Sequence, residues 1–118
     1  MCAARLGAKV LLAEATGCLG GMGTSGLVTA FDPMADGERM LVGGFMKELL
    51  ERMWAEGAFG PHVVPEFLHS QLNRWVPFQP EHLKRILDDM AVAAGVELRF
   101  FTRVVDAEGN SLQSTRNF

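Results

Sequence analysis

The same local pattern of a helix, a glycine and a strand is predicted at two places in the chain. Gly7 stands between a helix-compatible stretch and an apolar segment at 9–14, and Gly95 stands between residues 80–94 and 96–107 in the same way. A glycine that ends a helix commonly adopts the left-handed conformation that redirects the chain. A helix, a tight turn and a buried strand make half of a βαβ unit. The repeat therefore predicts an α/β fold with βαβ units and a parallel sheet.

The first of these strands is predicted over residues 9–14. Its centre, Val-Leu-Leu-Ala at 10–13, is continuously apolar rather than alternating. A continuous apolar run indicates a strand that is covered on both faces, as in the parallel sheets of α/β proteins. The helix-compatible residues before Gly7 are too few to nucleate a helix, so we expect most of that helix to lie before residue 1.

Two longer helices are predicted from apolar stripes at three- and four-residue spacing. The first covers residues 43–57 and the second 80–94, where Pro80 suits the first helical position and Glu81 complements the positive end of the helix dipole. Residues 27–31 are compatible with a short strand, and residues 96–107 with one strand or two. The stripes consist of Phe45, Met46, Leu49, Leu50, Met53 and Trp54 in the first helix and Leu83, Ile86, Leu87, Met90 and Ala94 in the second.

Composition excludes several classes of protein. With 118 residues, 48% of them hydrophobic and 21% charged, the chain suits one globular domain or a piece of a larger one. A net charge of −3 provides no electrostatic basis for nucleic-acid binding, and no apolar run approaches the ~20 residues of a membrane span. Cys2 and Cys18 form neither a disulfide framework nor a zinc pattern, and the three histidines are scattered. We therefore expect reduced thiols, a cytoplasmic location and no metal site.

Glu14 is the first candidate for a functional residue. It ends the predicted buried strand, directly after a helix and a glycine turn. In dinucleotide-binding folds an acidic residue at this point accepts hydrogen bonds from the ribose hydroxyls of the adenosine half. The alternative is a strand-ending glutamate that faces solvent.

A glycine-rich loop follows Glu14. Five of the eleven residues at 16–26 are glycine, and the stretch 19–26 reads Leu-Gly-Gly-Met-Gly-Thr-Ser-Gly. Small residues and closely spaced backbone N–H groups allow a pyrophosphate or a ribityl chain to approach the main chain. The alternative is a flexible surface turn.

Three stretches together resemble FAD-dependent oxidoreductases of the type with two dinucleotide-binding domains. They are Ala-Ala-Arg-Leu-Gly-Ala-Lys-Val-Leu-Leu-Ala-Glu at 3–14, Leu-Gly-Gly-Met-Gly-Thr-Ser-Gly-Leu-Val at 19–28, and Phe-Gln-Pro-Glu at 78–81 with Gly-Val-Glu-Leu at 95–98 and Thr-Arg-Val-Val at 102–105. The resemblance extends to about residue 110. It implies a partial Rossmann-like FAD/NAD(P)-binding domain over 1–110, with a polar tail at 111–118.

The resemblance also implies roles for individual residues. Glu14 would hold the adenosine ribose of FAD, and Val104 would meet the adenine through its backbone, although from the residues alone Val104 reads as a core valine. The loop would line the pyrophosphate, the ribityl chain and the ring side of the flavin through Gly20, Gly21, Met22, Gly23 and Thr24. The implied reaction is a flavin-mediated hydride or electron transfer on an unidentified small-molecule substrate, and no catalytic acid or base is assigned.

One element of the family is missing. Such flavoproteins open with a strand and a G-x-G-x-x-G turn whose helix N-terminus binds the pyrophosphate, and we expect that element to precede residue 1. The chain is therefore interpreted as an internal piece of a flavoprotein. The alternative is a non-enzymatic α/β domain that acts as a binding or assembly module, with an exposed sheet edge favouring association. An NAD-dependent enzyme would share the role of Glu14 but does not account for the loop at 19–26.

Overall fold

The fold is described by a computed structural model that covers residues 1–63 and 75–106. The predicted polar tail at 111–118, and the last residues of the predicted domain at 107–110, lie outside the described residues. In chain order the elements are α1 (Cys2–Arg5), β1 (Leu11–Ala13), a 3-10 turn (Gly21–Gly23), β2 (Ala30–Phe31), α2 (Gly44–Ala55), β3 (Val76–Pro77), α3 (Pro80–Ala93) and β4 (Glu97–Arg99).

The described strands form two pairs. β1 and β4 run parallel, with Leu12 opposite Leu98. β2 and β3 run antiparallel, with Phe31 opposite Val76. Helices combined with a parallel β1–β4 pair confirm the predicted α/β class, a partial Rossmann-like domain.

The prediction that the first strand is covered on both faces is wrong within the described residues. Val10 and Leu12 pack against the core, but Leu11 is 55% exposed. Successive side chains of a strand point to opposite faces. The described elements therefore cover only one face of β1.

The two long helices confirm the sequence prediction and supply most of the core. Pro80 occupies the first turn of α3, and Gly57 and Gly95 follow the two helices with φ of 67° and 72°. Glu48 and Arg52 form an i, i+4 ion pair at 3.0 Å on the polar side of α2. The buried helical residues are Leu49, Leu50 and Met53 from α2 and Leu83, Ile86, Leu87, Met90 and Ala91 from α3.

The last described segment is strand over a shorter range than predicted. Of residues 96–107, only Glu97–Arg99 forms a strand within the described part of the chain. Phe101 then takes a positive φ of 52°, which turns the backbone away from strand geometry. Its N–H donates to the Thr16 carbonyl at 3.0 Å, and the Thr102 N–H donates to the Glu14 carbonyl at 2.9 Å. These bonds hold residues 101–102 beside the segment that follows β1.

Two apolar clusters form the core and share partly buried residues. The larger one lies between α2 and α3, and the smaller one contains Leu50, Val63 and Val76. Phe31, Met46 and Phe59 pack against both clusters. Among the described helices, none has the length and apolarity that crossing a bilayer requires.

Candidate cofactor-binding site

Glu14 lies at the edge of the parallel sheet where ligands of α/β folds bind. It directly follows β1, and its backbone N–H donates to the Arg99 carbonyl at the end of β4 at 2.8 Å. Parallel strands bring their carboxyl ends to one edge, and ligands bind in the crevice beyond it. The structure therefore places Glu14 beside the segment 100–106, which contains the predicted adenine contact Val104.

The Glu14 carboxylate is held mainly by Thr16, with a smaller contribution from the Ala15 backbone N–H. Its Oε1 accepts hydrogen bonds from the Thr16 backbone N–H at 2.7 Å and from the Thr16 hydroxyl at 2.8 Å. These bonds lower the pKa of Glu14, and the bond from the backbone N–H contributes more than the bond from the hydroxyl. The side chain is therefore ionised at neutral pH. Within the described part of the chain both hydrogen bonds end on Oε1, so Oε2 is left to accept from another group.

The glycine-rich loop is an ordered turn. Gly20 adopts φ of 107° and is followed by the 3-10 turn at Gly21–Gly23. The Thr24 side chain is buried, and its hydroxyl donates to the Leu19 carbonyl at 2.7 Å. The loop is therefore closed by its own hydrogen bonds, and Thr24 has its hydroxyl directed into the protein.

The predicted cofactor residues of the loop divide into two groups. A Cβ on Gly23 would lie 3.0 Å from Leu83 Cδ2, so this glycine is needed for packing against α3. A Cβ on Gly21 would meet nothing within 4 Å, and the Met22 side chain is exposed. Gly21 and Met22 therefore present the outer surface of the loop, whereas Gly23 and Thr24 face the core.

Val104 lies on the surface, with 70% of its area exposed. The interpretation of Val104 as a core valine is therefore wrong. It lies two residues beyond Thr102, whose N–H is bonded to the Glu14 carbonyl. A surface position close to Glu14 leaves the predicted adenine contact sterically open, and that contact stays a prediction.

Comparison with known proteins identifies the family. The family model described as FAD dependent oxidoreductase matches residues 1–116. The chain belongs to the FAD-dependent oxidoreductase family. Neither the curated proteins nor the solved structures contain a significant match to it.

Membership of this family implies FAD as the cofactor. The structure fits part of that group: an ionised carboxylate with an available oxygen stands at the carboxyl edge of the sheet, and Gly21 in the loop that follows is open to solvent. FAD, when bound, supplies the electron-accepting ring, and the chain supplies binding and orientation.

Two features of this candidate site were not expected from the sequence. Gly21, Gly23 and Gly26 have the spacing G-x-G-x-x-G, but the stretch is a 3-10 turn at Gly21–Gly23 followed by a further turn, not the strand-to-helix turn that binds a pyrophosphate. The second is Thr16, which holds the Glu14 carboxylate. Turns in which a side chain accepts from the backbone N–H two residues on are established for Asp and Asn, so a glutamate followed by a threonine gave no such signal.

Two other groups of the described residues lie outside the predicted cofactor site. Cys18 Sγ lies 3.2 Å from Ser25 Oγ, and this hydrogen bond lowers the pKa of the thiol. Among residues 1–63 and 75–106, no three His, Cys, Asp or Glu side chains lie together as a metal ion would require. A cavity of about 110 Å³ borders Trp54, Phe59 and Val63, and its lining includes none of the predicted cofactor residues.

Proposed function

We propose that this chain binds FAD at the carboxyl edge of β1 and β4, as part of an oxidoreductase that transfers a hydride or electrons through the flavin. The observation that carries the proposal is Glu14: it is ionised, lies at the correct end of a parallel strand, and keeps Oε2 available as an acceptor. A carboxylate suits a ribose diol because it accepts hydrogen bonds from both hydroxyl groups.

The neighbouring segments support an extended dinucleotide at this edge. Backbone hydrogen bonds fix residues 101–102 beside Thr16 and Glu14, and Val104, two residues beyond Thr102, would contact the adenine. The outer surface of the loop, formed by Gly21 and Met22, would line the pyrophosphate and the flavin portion. In this arrangement the chain binds and orients the cofactor.

The proposal is tested by titrating the purified chain with FAD and with FMN. We expect Glu14→Gln to weaken FAD binding about tenfold, because one charged acceptor of the ribose is lost. FMN lacks the adenosine half, so its affinity should not change. Glu97→Gln is the matched control, since Glu97 lies at the opposite end of β4 and pairs with Arg99 on the surface.

A wild-type chain that binds no FAD at saturating concentration would contradict the proposal and favour the alternative of an α/β binding module. Equal weakening of FAD and FMN by Glu14→Gln would contradict the assignment of Glu14 to the adenosine ribose.

A further inference from the structure

The side chain of Thr16 connects the end of β1 to the glycine-rich loop. Its hydroxyl lies 2.8 Å from Glu14 Oε1 and 3.0 Å from the Cys18 carbonyl, and it accepts a hydrogen bond from Ser25 Oγ at 3.2 Å. A hydroxyl has one proton to donate, and the shorter contact to a charged acceptor is the stronger bond. Thr16 therefore donates to Glu14 and receives from Ser25, whose oxygen can in turn accept from the neutral Cys18 thiol at 3.2 Å.

These contacts determine which oxygen of Glu14 remains for a ligand. Oε1 already accepts two hydrogen bonds, one from each donor of Thr16. An ionised carboxylate oxygen has two in-plane lone pairs, so the two Thr16 bonds occupy Oε1, and Oε2 takes part in neither of them. The same two bonds already restrict rotation of the carboxylate. Ligand binding therefore costs less side-chain conformational entropy than it would with an unrestrained glutamate.

We propose that Thr16 is a positioning residue for the dinucleotide: it saturates Glu14 Oε1, directs Oε2 toward the ribose diol, and ties the carboxylate to the glycine-rich loop through Ser25. This inference rests on the proposed function. It assigns the diol to Oε2 alone and makes the orientation of Glu14 depend on a loop residue nine positions further along the chain from Thr16.

The test compares Thr16→Val, which removes the hydroxyl at nearly constant shape, with Thr16→Ser, which retains it. We expect Thr16→Val to weaken FAD binding about tenfold, because the preorganised carboxylate is released, while Thr16→Ser stays near the wild type. The effect should disappear in the Glu14→Gln background, since Thr16 acts through Glu14.

A second measurement does not depend on FAD. The pKa of Glu14, followed by NMR of the ¹³C-labelled carboxyl group, should rise in Thr16→Val and stay unchanged in Thr16→Ser. The rise should be partial because the Thr16 backbone N–H remains a donor. A role in packing alone would leave this pKa unchanged.

A third variant tests the connection to the loop. Ser25 is exposed, so Ser25→Ala should preserve the fold even if Thr16→Val unfolds part of the population. We expect it to weaken FAD binding about threefold, since a neutral side-chain hydrogen bond contributes about 0.5–1.5 kcal/mol. Unchanged FAD affinity in Ser25→Ala would overturn the connection to the loop.

The outcomes separate the two proposals. Equal FAD affinity of the wild type and Thr16→Val contradicts the role of Thr16 and leaves the proposed function standing. A wild-type chain that binds no FAD contradicts the proposed function, and with it the assignment of the ribose to Oε2.

Discussion

Gly20 is constrained both by the backbone conformation of the loop and by close packing against the core. Its φ of 107° lies in the left-handed region, and a Cβ there would stand 2.6 Å from Thr24 Cγ2 and 3.3 Å from Leu87 Cδ1. Thr24 is buried and Leu87 belongs to α3, so neither can move without disturbing the core. Glycine at this position is therefore explained by the protein itself, before any cofactor is considered.

Gly20→Ala should lower the free energy of unfolding by about 2–4 kcal/mol, from backbone strain together with the steric overlap. Gly7→Ala is the matched control, because Gly7 has φ of 90° but a Cβ added there would meet no atom within 4 Å. The control should lose only about 1 kcal/mol from the strain. Urea denaturation of both variants measures the difference, and equal losses would show that the overlap with Thr24 contributes nothing.

At the scale of elements, α3 contains a carboxylate that its surroundings disfavour. Asp88 Oδ1 is buried and has no hydrogen-bond partner within the described residues. Burial is the larger cause that raises the pKa of Asp88, and the nearby charge of Asp89 is the smaller one. A raised pKa in the folded state means that folding favours the protonated form. That contribution is fully present below the unfolded-state pKa and is lost as the pH rises through the folded-state pKa.

Asp88→Asn should therefore stabilise the protein at about pH 7, by about 1 kcal/mol or less, and should make little difference near pH 3.5. Glu51→Gln is the control: this exposed carboxylate on α2 lies 3.8 Å from Lys47 in an i, i+4 pair, so its removal should change stability little. Denaturant midpoints at the two pH values give the answer. A stabilisation of equal size at both values would contradict the assignment to ionisation of Asp88.

The elements that were predictable are those specified by local sequence. The bounds of α3 follow from Pro80, an apolar stripe and Gly95, and the site residue Glu14 follows from a continuous apolar run that ends in a carboxylate. The β2–β3 pair joins strands of two residues each from distant parts of the chain, and a pattern of that length carries no periodicity. It forms because burial of Phe31 and Val76 in the smaller cluster brings the strands together.

The position of Glu14 after β1 was predictable, but the contacts of its side chain were not. The carboxyl end of β1 is determined by chain order, whereas the hold of Thr16 on Oε1 depends on side-chain rotamers that sequence patterns do not specify. The bidentate pair of Arg5 with Glu48, at 2.6 and 3.0 Å, is a similar case. Both contacts depend on the side-chain conformations that the folded chain adopts, which local sequence patterns do not determine.

At the scale of the whole molecule, the two apolar clusters form one continuous core. Phe31 and Phe59 pack against both, and the Phe31 ring stacks on Phe78 of the larger cluster with centroids 4.2 Å apart. A core that is continuous in this way has no boundary along which one part could unfold alone, so the described residues should unfold as one cooperative unit.

Unfolding by urea tests this continuity with two probes. Trp54 packs against the smaller cluster, and in a Trp75→Phe background it is the remaining fluorescent tryptophan. Ile86→Val truncates the larger cluster and should cost about 0.5–1.5 kcal/mol. In a continuous core that loss destabilises the surroundings of Trp54 as well, so the fluorescence midpoint and the far-UV circular dichroism midpoint should fall together.

Val92→Ala is the control, at a position on α3 that is 70% exposed. It should change the free energy of unfolding, measured by either probe, by no more than about 0.5 kcal/mol. A Trp54 midpoint that stays in place while the dichroism midpoint falls would divide the core into two independent units.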